Sequence, residues 1–327
     1  MIGNMSIDLS LANIWRSYYL FRRGKKPSSE ISGFQYYLEE NLFALFLDLN
    51  NGQYSHGGYK YFEVSDNKKR QISVASVRDR VIHRLIYEYL EKKYDKTFIF
   101  DLWSNRKGKG LAGAIKRTQS KIYKHKNSFI WRSDIKKFFD SVDHDILLDI
   151  LSLKIKNQNE LKIISLIIRS FSKNSNNGKG LPIGNLTSQI LSNVYLNEFD
   201  RYVKHVIKPQ FYLRYGDDFI AMEKDRGSLE EMREKIIQYL DKALGLKINH
   251  KNDIIIKASQ GVKFLGVIIY PQGRKLNKRN IKRIKDKSDL SNISSYVGLA
   301  RANHQKLIKE INWRILSLTH QDNEKFF

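Results

Sequence analysis

Two adjacent carboxylates, Asp217 and Asp218, stand between short apolar runs in the segment FYLRYGDDFI at 211–220. This pattern predicts a β-hairpin with the acids at its tip. Because unpaired carboxylates are costly to bury, adjacent ones usually share a cation or project into water. Mg²⁺ takes oxygen ligands, often one or two carboxylates plus substrate phosphates, so the pair indicates a two-metal site for nucleotidyl transfer. Taken alone, Gly-Asp is more typical of an ordinary polar turn.

A third acid strengthens the metal interpretation. Residues 129–133 predict a short strand, with Asp134 at its end, Phe138-Phe139-Asp140 next and a helix from about His144. A carboxylate at a strand end can bind a metal beside the 217–218 hairpin, although a single Asp there also fits a cap of the following turn. Two Mg²⁺ ions, with Mn²⁺ as an alternative, would then activate a primer 3′-hydroxyl and stabilise the pyrophosphate leaving group.

The charge of the chain points to a polyanionic partner. Its 327 residues carry 58 Lys and Arg against 34 Asp and Glu, a formal net charge of +24. Nucleic acid is the favoured partner, ahead of mere solubility or an anionic membrane surface. The absence of cysteine excludes disulfides and thiolate metal sites. Without a signal peptide or a span of ~18 apolar residues, we expect a cytoplasmic protein with no membrane partner.

Several elements could position substrate around these acids. Apolar spacing predicts helices within residues 1–50, and residues 59–75 predict two strands joined at 66–69, followed by a helix over 77–94. Lys68 and Arg70 at the hairpin tip are candidates to hold a triphosphate, since Arg binds phosphate oxygens bidentately. A solvated β-turn explains the same residues equally well.

Two glycine-containing loops are candidate ligand contacts. GKGLAG within 104–113 matches a dinucleotide-binding pattern, but four polar residues precede it where an apolar strand should end. We therefore predict contact with a nucleic-acid backbone through Arg106, Lys107 and Lys109, or else a plain loop before a helix at 112–123. The second loop, in 178–200, opens into a helix near Thr187 and offers close backbone contact to a ligand.

The C-terminal part predicts a helix over 229–244, strand-like pieces at 245–249, 253–256 and 262–270, and a basic helical tail. Its cations are the expected duplex grip: Arg274, Lys275, Lys278, Arg279 and Lys282.

The order of these motifs resembles the reverse transcriptases. DIKKFFD (134–140) and YGDD (215–218) are similar to the palm motifs that carry the metal-binding acids, and the 68–70 tip is similar to the fingers hairpin. GLKINHK (245–251) and FLG (264–266) resemble the segments that follow, the second being the primer grip. The resemblance implies an α+β right-hand polymerase with an antiparallel palm sheet flanked by helices. Its domains would be N-terminal helices and fingers (1–125), palm (126–150 and 185–270, with 151–184 inserted) and a basic helical thumb (271–327).

LPIGNLTSQ (181–189) narrows the resemblance to reverse transcriptases of diversity-generating retroelements, as do ISVASVRDRVIHRLI (72–86) and NRKGKG (105–110). That group implies mutagenic retrohoming: a template RNA is copied from dNTPs into cDNA with errors at template adenines, alongside a small basic multimeric accessory protein. Phe139, Gly184 and Gln189 would line the nucleotide and template pocket, with Ile183 and Gln189 the candidates for low fidelity. Lys251, about one residue out of the family register, is a candidate proton donor to pyrophosphate.

One residue departs from the family pattern. Gly216 replaces the usual Ala, Met or Val, and Gly-Asp-Asp is the usual form in RNA-dependent RNA polymerases. Phe139 favours DNA synthesis, because its ring would clash with a ribose 2′-hydroxyl, although most Phe side chains are simply core. The alternatives are another prokaryotic reverse transcriptase, defence-associated or stand-alone, and a non-catalytic RNA-binding scaffold of the same fold.

Overall fold

A computed structural model describes residues 6–65, 69–171, 178–287, 300, 308–310 and 312–313. The chain divides into two compact units, each with its own secondary structure. Unit 1 comprises Met1–Phe100, Ile135–Val206 and Ile236–Lys247. Unit 2 comprises Asp101–Asp134, Ile207–Lys235 and Ile248–Phe327.

The described helices, in chain order, are α1 (Leu11–Arg22), α2 (Ser29–Tyr36), α3 (Leu38–Asn50), α4 (Val77–Tyr94), α5 (Leu111–Lys124), α6 (Phe138–Ser141), α7 (His144–Ser152), α8 (Gln158–Arg169), α9 (Leu186–Tyr195), α10 (Asn197–Arg201), α11 (Arg226–Leu244) and α12 (Lys278–Lys287). The strands are β1 (Tyr59–Ser65), β2 (Lys69–Ala75), β3 (Phe129–Asp134), β4 (Phe211–Tyr215), β5 (Asp218–Glu223), β6 (Ile254–Lys257), β7 (Val262–Phe264), β8 (Val267–Tyr270) and β9 (Gly273–Leu276).

Unit 1 is mainly helical and packs around α4. Ser76 caps α4, since its hydroxyl accepts from the Asp79 amide at 3.2 Å. The helix packs against α1 and α9 and buries apolar side chains such as Val81, Ile82 and Leu90. The antiparallel β1–β2 hairpin leads directly into α4.

Unit 2 is built on an antiparallel sheet of order β4-β5-β3-β6. A second antiparallel sheet, β7-β8-β9, and helix α5 share one apolar core with it. That core includes Ile130 of β3, Leu213 of β4 and Ile220 of β5. The predicted α+β class with an antiparallel palm-like sheet is therefore confirmed.

The segment after α11 differs from prediction. The expected strand at 245–249 is irregular chain, because Gly245 adopts a φ of +60° and ends α11. The Gly245 amide donates to the Asp241 carbonyl at 3.1 Å, as in an αL cap, and the Leu246 amide donates to the Leu240 carbonyl at 2.9 Å. Leu246 and Ile248 gave the segment its strand-like pattern because both are buried, and within 245–249 only Ile248 makes a β-bridge.

The piece predicted at 262–270 is two strands, β7 and β8, rather than one. Leu265 and Gly266 join them with φ values of +49° and +83°, the signs of a type I′ turn. Strand β9 was not predicted, because its basic residues were assigned to the basic helical tail. No helix within the described ranges is long and apolar enough to cross a lipid bilayer.

Candidate active site

The YGDD segment forms the predicted hairpin. Strands β4 and β5 pair in register from Phe211 opposite Met222 to Tyr215 opposite Asp218. Gly216 and Asp217 make the two-residue turn. The φ of Gly216 is +65°, whereas the φ of Asp217 is not positive. This sign pattern is that of a type II′ turn, which favours glycine at its first central position. Asp217 therefore lies in the turn and Asp218 begins β5.

The third acid lies beside this hairpin. Strand β3 pairs with β5 so that Asp134 is directly opposite Asp218. Opposed residues in an antiparallel pair have Cα atoms about 4.5–5.5 Å apart, and their side chains project from the same face. Residues distant in sequence thus place two carboxylates at one end of one sheet, with Asp217 adjacent.

Two amide side chains hold the Asp134 carboxylate. Asn252 Nδ2 donates to its Oδ1 at 2.7 Å, and Asn249 Nδ2 donates to its Oδ2 at 3.2 Å. The Asn249 main-chain amide also donates to the Asp134 carbonyl at 2.8 Å. Sequence reasoning missed both asparagines, because the 245–251 motif drew attention to Lys251.

The turn that carries these asparagines is anchored at Asp253. Its carboxylate accepts from Trp131 Nε1 at 2.8 Å and from Arg233 Nε at 2.7 Å. Burial alone would raise the pKa of the Asp253 carboxyl, but hydrogen bonds from Arg233 and Trp131 outweigh it and hold the pKa below its usual value. The Asp253 carboxylate is thus held by Trp131 and Arg233 at the position next to Asn252 in the chain.

A second group of contacts holds the hairpin turn from both sides. Ser104 Oγ accepts from the Gly216 amide at 2.8 Å, and the fully buried Arg214 donates from NH1 to the Gly216 carbonyl at 2.9 Å. The 101–103 segment lies alongside β4. The Arg214 amide donates to the Asp101 carbonyl and the Trp103 amide donates to the Arg214 carbonyl, both at 3.0 Å. The sequence offered one signal for this arrangement, an arginine in the middle of an apolar strand.

The donor set fits a divalent cation. Carboxylate oxygens from two neighbouring strand positions and the adjoining turn are ligands that Mg²⁺ prefers. Across the ranges that the structure describes, no group of three or more His, Asp or Glu side chains is assembled to hold a metal by protein ligands alone. Mg²⁺ in phosphate chemistry commonly uses one or two carboxylates and completes its shell with substrate phosphates and water, which this arrangement allows.

The residues predicted to contact the nucleotide belong to unit 1. The 183–185 loop pairs with β2: the Ser73 amide donates to the Ile183 carbonyl at 2.9 Å, and Asn185 Nδ2 donates to the Ser73 carbonyl at 2.7 Å. Gly184 consequently lies against Ile72, in the same strand as the exposed Arg70.

The remaining predicted pocket residues have different surroundings. Phe139 is half-buried in α6, and its carbonyl accepts from the Leu181 amide at 2.7 Å. Gln189 is exposed in the first turns of α9. Lys68 lies outside the described residues.

The predicted nucleic-acid contacts all belong to unit 2. Arg106, Lys107 and Lys109 occupy the loop before α5, and Lys109 Nζ lies 4.1 Å from the centre of the Trp103 ring. The C-terminal set lies on β9 and α12 with exposed or half-exposed side chains: Arg274, Lys275, Lys278, Arg279 and Lys282.

An antiparallel palm-like sheet with two acids paired at one end is the arrangement of nucleotidyl-transferring polymerases, and this chain has it. A profile of the family described as "Reverse transcriptase (RNA-dependent DNA polymerase)" matches residues 63–269. The match covers well over half of the chain, so this protein belongs to the reverse transcriptase family.

Individual relatives are more distant. The chain is 30% identical over 149 residues to the "Uncharacterized 91 kDa protein in cob intron" of Schizosaccharomyces pombe, covering 44% of this chain and 18% of that protein. It is 22% identical over 299 residues to "Group II intron-encoded protein LtrA" of Lactococcus lactis, covering 70% of this chain and 49% of LtrA. The chain therefore spans half or less of the length of these two relatives.

Solved structures give the same fold. Apo telomerase from Candida tropicalis superimposes with a TM-score of 0.52 at 14% identity, covering 83% of this chain and 58% of that one. At this identity the likeness establishes the fold alone.

Proposed function

We propose that this protein is an RNA-directed DNA polymerase that copies a template RNA into cDNA by two-metal nucleotidyl transfer. The observation that carries the proposal is the register of unit 2, in which Asp134 faces Asp218 across β3 and β5 with Asp217 in the adjoining turn. Membership in the reverse transcriptase family supports the same reaction.

In the proposed reaction, Asp134, Asp217 and Asp218 hold two Mg²⁺ ions, or Mn²⁺ in their place. Bound metal supplies charge neutralisation on the phosphate oxygens and lowers the pKa of the primer hydroxyl. The chain's own residues position the acids: Asn249 and Asn252 hold Asp134.

Residues of unit 1 are proposed to bind the incoming dNTP. Lys68 and Arg70 hold its triphosphate, Phe139 lies beneath its sugar, and Ile183, Gly184 and Gln189 line the nucleotide and template pocket. The hydrogen bonds between the 183–185 loop and β2 support a shared site for Arg70 and Gly184.

The basic residues are proposed to hold nucleic acid by phosphate contacts. One set comprises Arg106, Lys107 and Lys109, and the other comprises Arg274, Lys275, Lys278, Arg279 and Lys282. Lys251, exposed in the turn after Asn249, is the proposed proton donor to pyrophosphate.

The finer proposal is a cytoplasmic polymerase of a diversity-generating retroelement, error-prone at template adenines and working with a small basic multimeric protein. It is supported by Ile183, Gly184, Ser188 and Gln189 in the order that resembles that group. A template and variable repeat pair beside the gene would support this subtype, and a defence locus would contradict it.

The test is primer extension on a defined RNA template with Mg²⁺ and either dNTPs or rNTPs. Wild-type protein should extend with dNTPs, and Asp134→Asn, Asp217→Asn and Asp218→Asn should each abolish synthesis. Asp145→Asn is the matched control, because Asp145 is an exposed carboxylate paired with Arg169 at 2.6 Å.

Three outcomes would contradict the proposal. Template binding without any extension by wild type would indicate the scaffold, preference for rNTPs would indicate an RNA polymerase, and activity retained by the Asp134→Asn variant would refute the metal assignment. Sequencing the cDNA also tests the subtype: Ile183→Gln should lower errors opposite adenine, and an unchanged spectrum would count against a role for Ile183 in low fidelity.

A further inference from the structure

The amides beside Asp134 have orientations that their other partners determine. Asn252 Oδ1 lies 2.7 Å from Arg132 NH2, and a guanidinium can only donate. Asn249 Oδ1 accepts from the Lys251 main-chain amide at 3.2 Å, and an amide N–H likewise can only donate. In both side chains the NH₂ group must therefore face Asp134.

Arg132 is itself fixed within the same unit. It stands two residues before Asp134 on β3, so both side chains project from one face of the sheet. Its NH1 donates to the Lys263 carbonyl at 2.6 Å. Together these bonds make a continuous path from the Lys263 carbonyl through Arg132 and Asn252 to Asp134.

The chemistry of this path suits a metal-binding carboxylate. Each carboxylate oxygen has two lone-pair directions, so an amide bond to each one leaves room for a cation. Amides are neutral donors, which orient the carboxylate without cancelling its charge. The charged guanidinium contacts the amide rather than Asp134.

We propose that Asn252, assisted by Asn249, is a positioning residue that holds the Asp134 carboxylate in place for divalent metal. The inference rests on the proposed function, since it requires Asp134 to be a metal ligand. Asn252 makes the larger contribution, because its bond to Asp134 is 0.5 Å shorter (2.7 against 3.2 Å) and its amide is held by Arg132.

The experiment is a Mn²⁺ titration of the full chain bound to a primer–template whose primer lacks a 3′-hydroxyl and to a matching dNTP, since substrate phosphates complete the metal shell, with free Mn²⁺ measured by electron paramagnetic resonance. Partners that orient a metal ligand typically contribute about 10- to 100-fold to metal affinity. Asp134→Asn should abolish one Mn²⁺ site. Asn252→Ala should lower the Mn²⁺ affinity of that site by about 10-fold or more, and Asn249→Ala should lower it less.

Two further variants separate positioning from folding. Asn252→Ser keeps an oxygen near Arg132 but is too short to reach Asp134, so it should lose affinity as Asn252→Ala does. Asn41→Ala removes a part-buried amide bond to the Phe34 carbonyl in unit 1 and should leave Mn²⁺ affinity unchanged. Urea unfolding without metal checks that every variant is folded.

The outcomes distinguish the inference from its premise. If wild type binds Mn²⁺ at a site lost in Asp134→Asn, and folded Asn252→Ala and Asn252→Ser bind it equally well, the positioning role is wrong and the metal site stands. If wild type and Asp134→Asn bind Mn²⁺ identically, Asp134 is no metal ligand, which overturns both the proposed metal site and the inference.

Discussion

Replacing Ser104 by alanine would remove the oxygen that accepts the Gly216 amide at the tip of the acidic hairpin. Ser104 is 4% exposed, and the bond spans 2.8 Å between residues 112 positions apart in the chain. The alanine methyl group cannot accept this bond. The variant therefore leaves an N–H group unpaired beside Asp217 and Asp218.

The size of the effect follows from the burial of the two groups. Leaving a buried donor unsatisfied costs about 1–3 kcal/mol. Gly216 is only half-buried, so we expect the lower part of this range, about 1–2 kcal/mol. That energy changes an opening equilibrium by about 5- to 30-fold.

The assay is hydrogen–deuterium exchange of peptides covering 211–223, combined with urea unfolding and single-nucleotide extension. Ser104→Ala should speed exchange at the hairpin about 5- to 30-fold, and extension should slow if the acids lose their position. Ser192→Ala is the matched control: Ser192 is 3% exposed, but its hydroxyl donates to the Gln189 carbonyl, so no N–H loses its partner. Exchange at 211–223 that is equal in Ser104→Ala and wild type would refute this account of the hairpin.

Three further predictions follow from the structure. Gly184→Ala should destabilise unit 1 by about 1–3 kcal/mol in urea unfolding, because φ is +111° and a Cβ would lie 2.7 Å from Ile72 Cγ2; a loss below about 0.5 kcal/mol would contradict this. Burial, and next the neighbouring His56, lower the pKa of His83 to about 3 in the folded chain. As the pH falls below about 6.5, His83 is therefore protonated in the unfolded chain but stays neutral in the folded chain. The unfolding free energy should accordingly fall by up to about 1.4 kcal/mol per pH unit between pH 6.5 and 3, and the slope measured between pH 6.5 and 5 should be shallower in His83→Gln; identical slopes would be the contrary result. Template affinity should fall with salt at a log–log slope of about −0.7 to −0.9 per phosphate contact, and Lys278→Gln should make that slope less steep by about one contact, whereas an unaltered slope would exclude Lys278 from the grip.

Local pattern was sufficient for the hairpins and helices that carry the candidate site. Short apolar runs around Gly216-Asp217 predicted β4 and β5, and the helix predicted over 77–94 is α4, because turn and helix preferences act over a few residues. The same local logic failed at 245–249. There the burial of Leu246 and Ile248 imitated a strand, and the cap at Gly245 depends on a carbonyl in the preceding helix.

The residues that position the acids could not be predicted from local sequence patterns. Ser104 and Arg214 became relevant only when the 101–104 segment lay along β4. Asn252 lies 118 positions from Asp134 and resembles any polar turn residue in the sequence. The hydrogen-bond partner of a side-chain amide is whichever group lies within about 3 Å of it in the folded chain, and the order of residues does not reveal that group.

Composition and motif order established the chemistry available to this protein: a strongly basic chain without cysteine, three aspartates at predicted strand ends and turns, and motifs in the order of a reverse transcriptase. Which of these groups lie close together became evident from the folded chain. Antiparallel register placed Asp134 opposite Asp218, and long-range hydrogen bonds then fixed the carboxylate of Asp134 and the turn that carries Asp217. The physical reason is that side-chain type follows from the sequence directly, whereas the position of a side chain follows from backbone pairing and packing between distant segments.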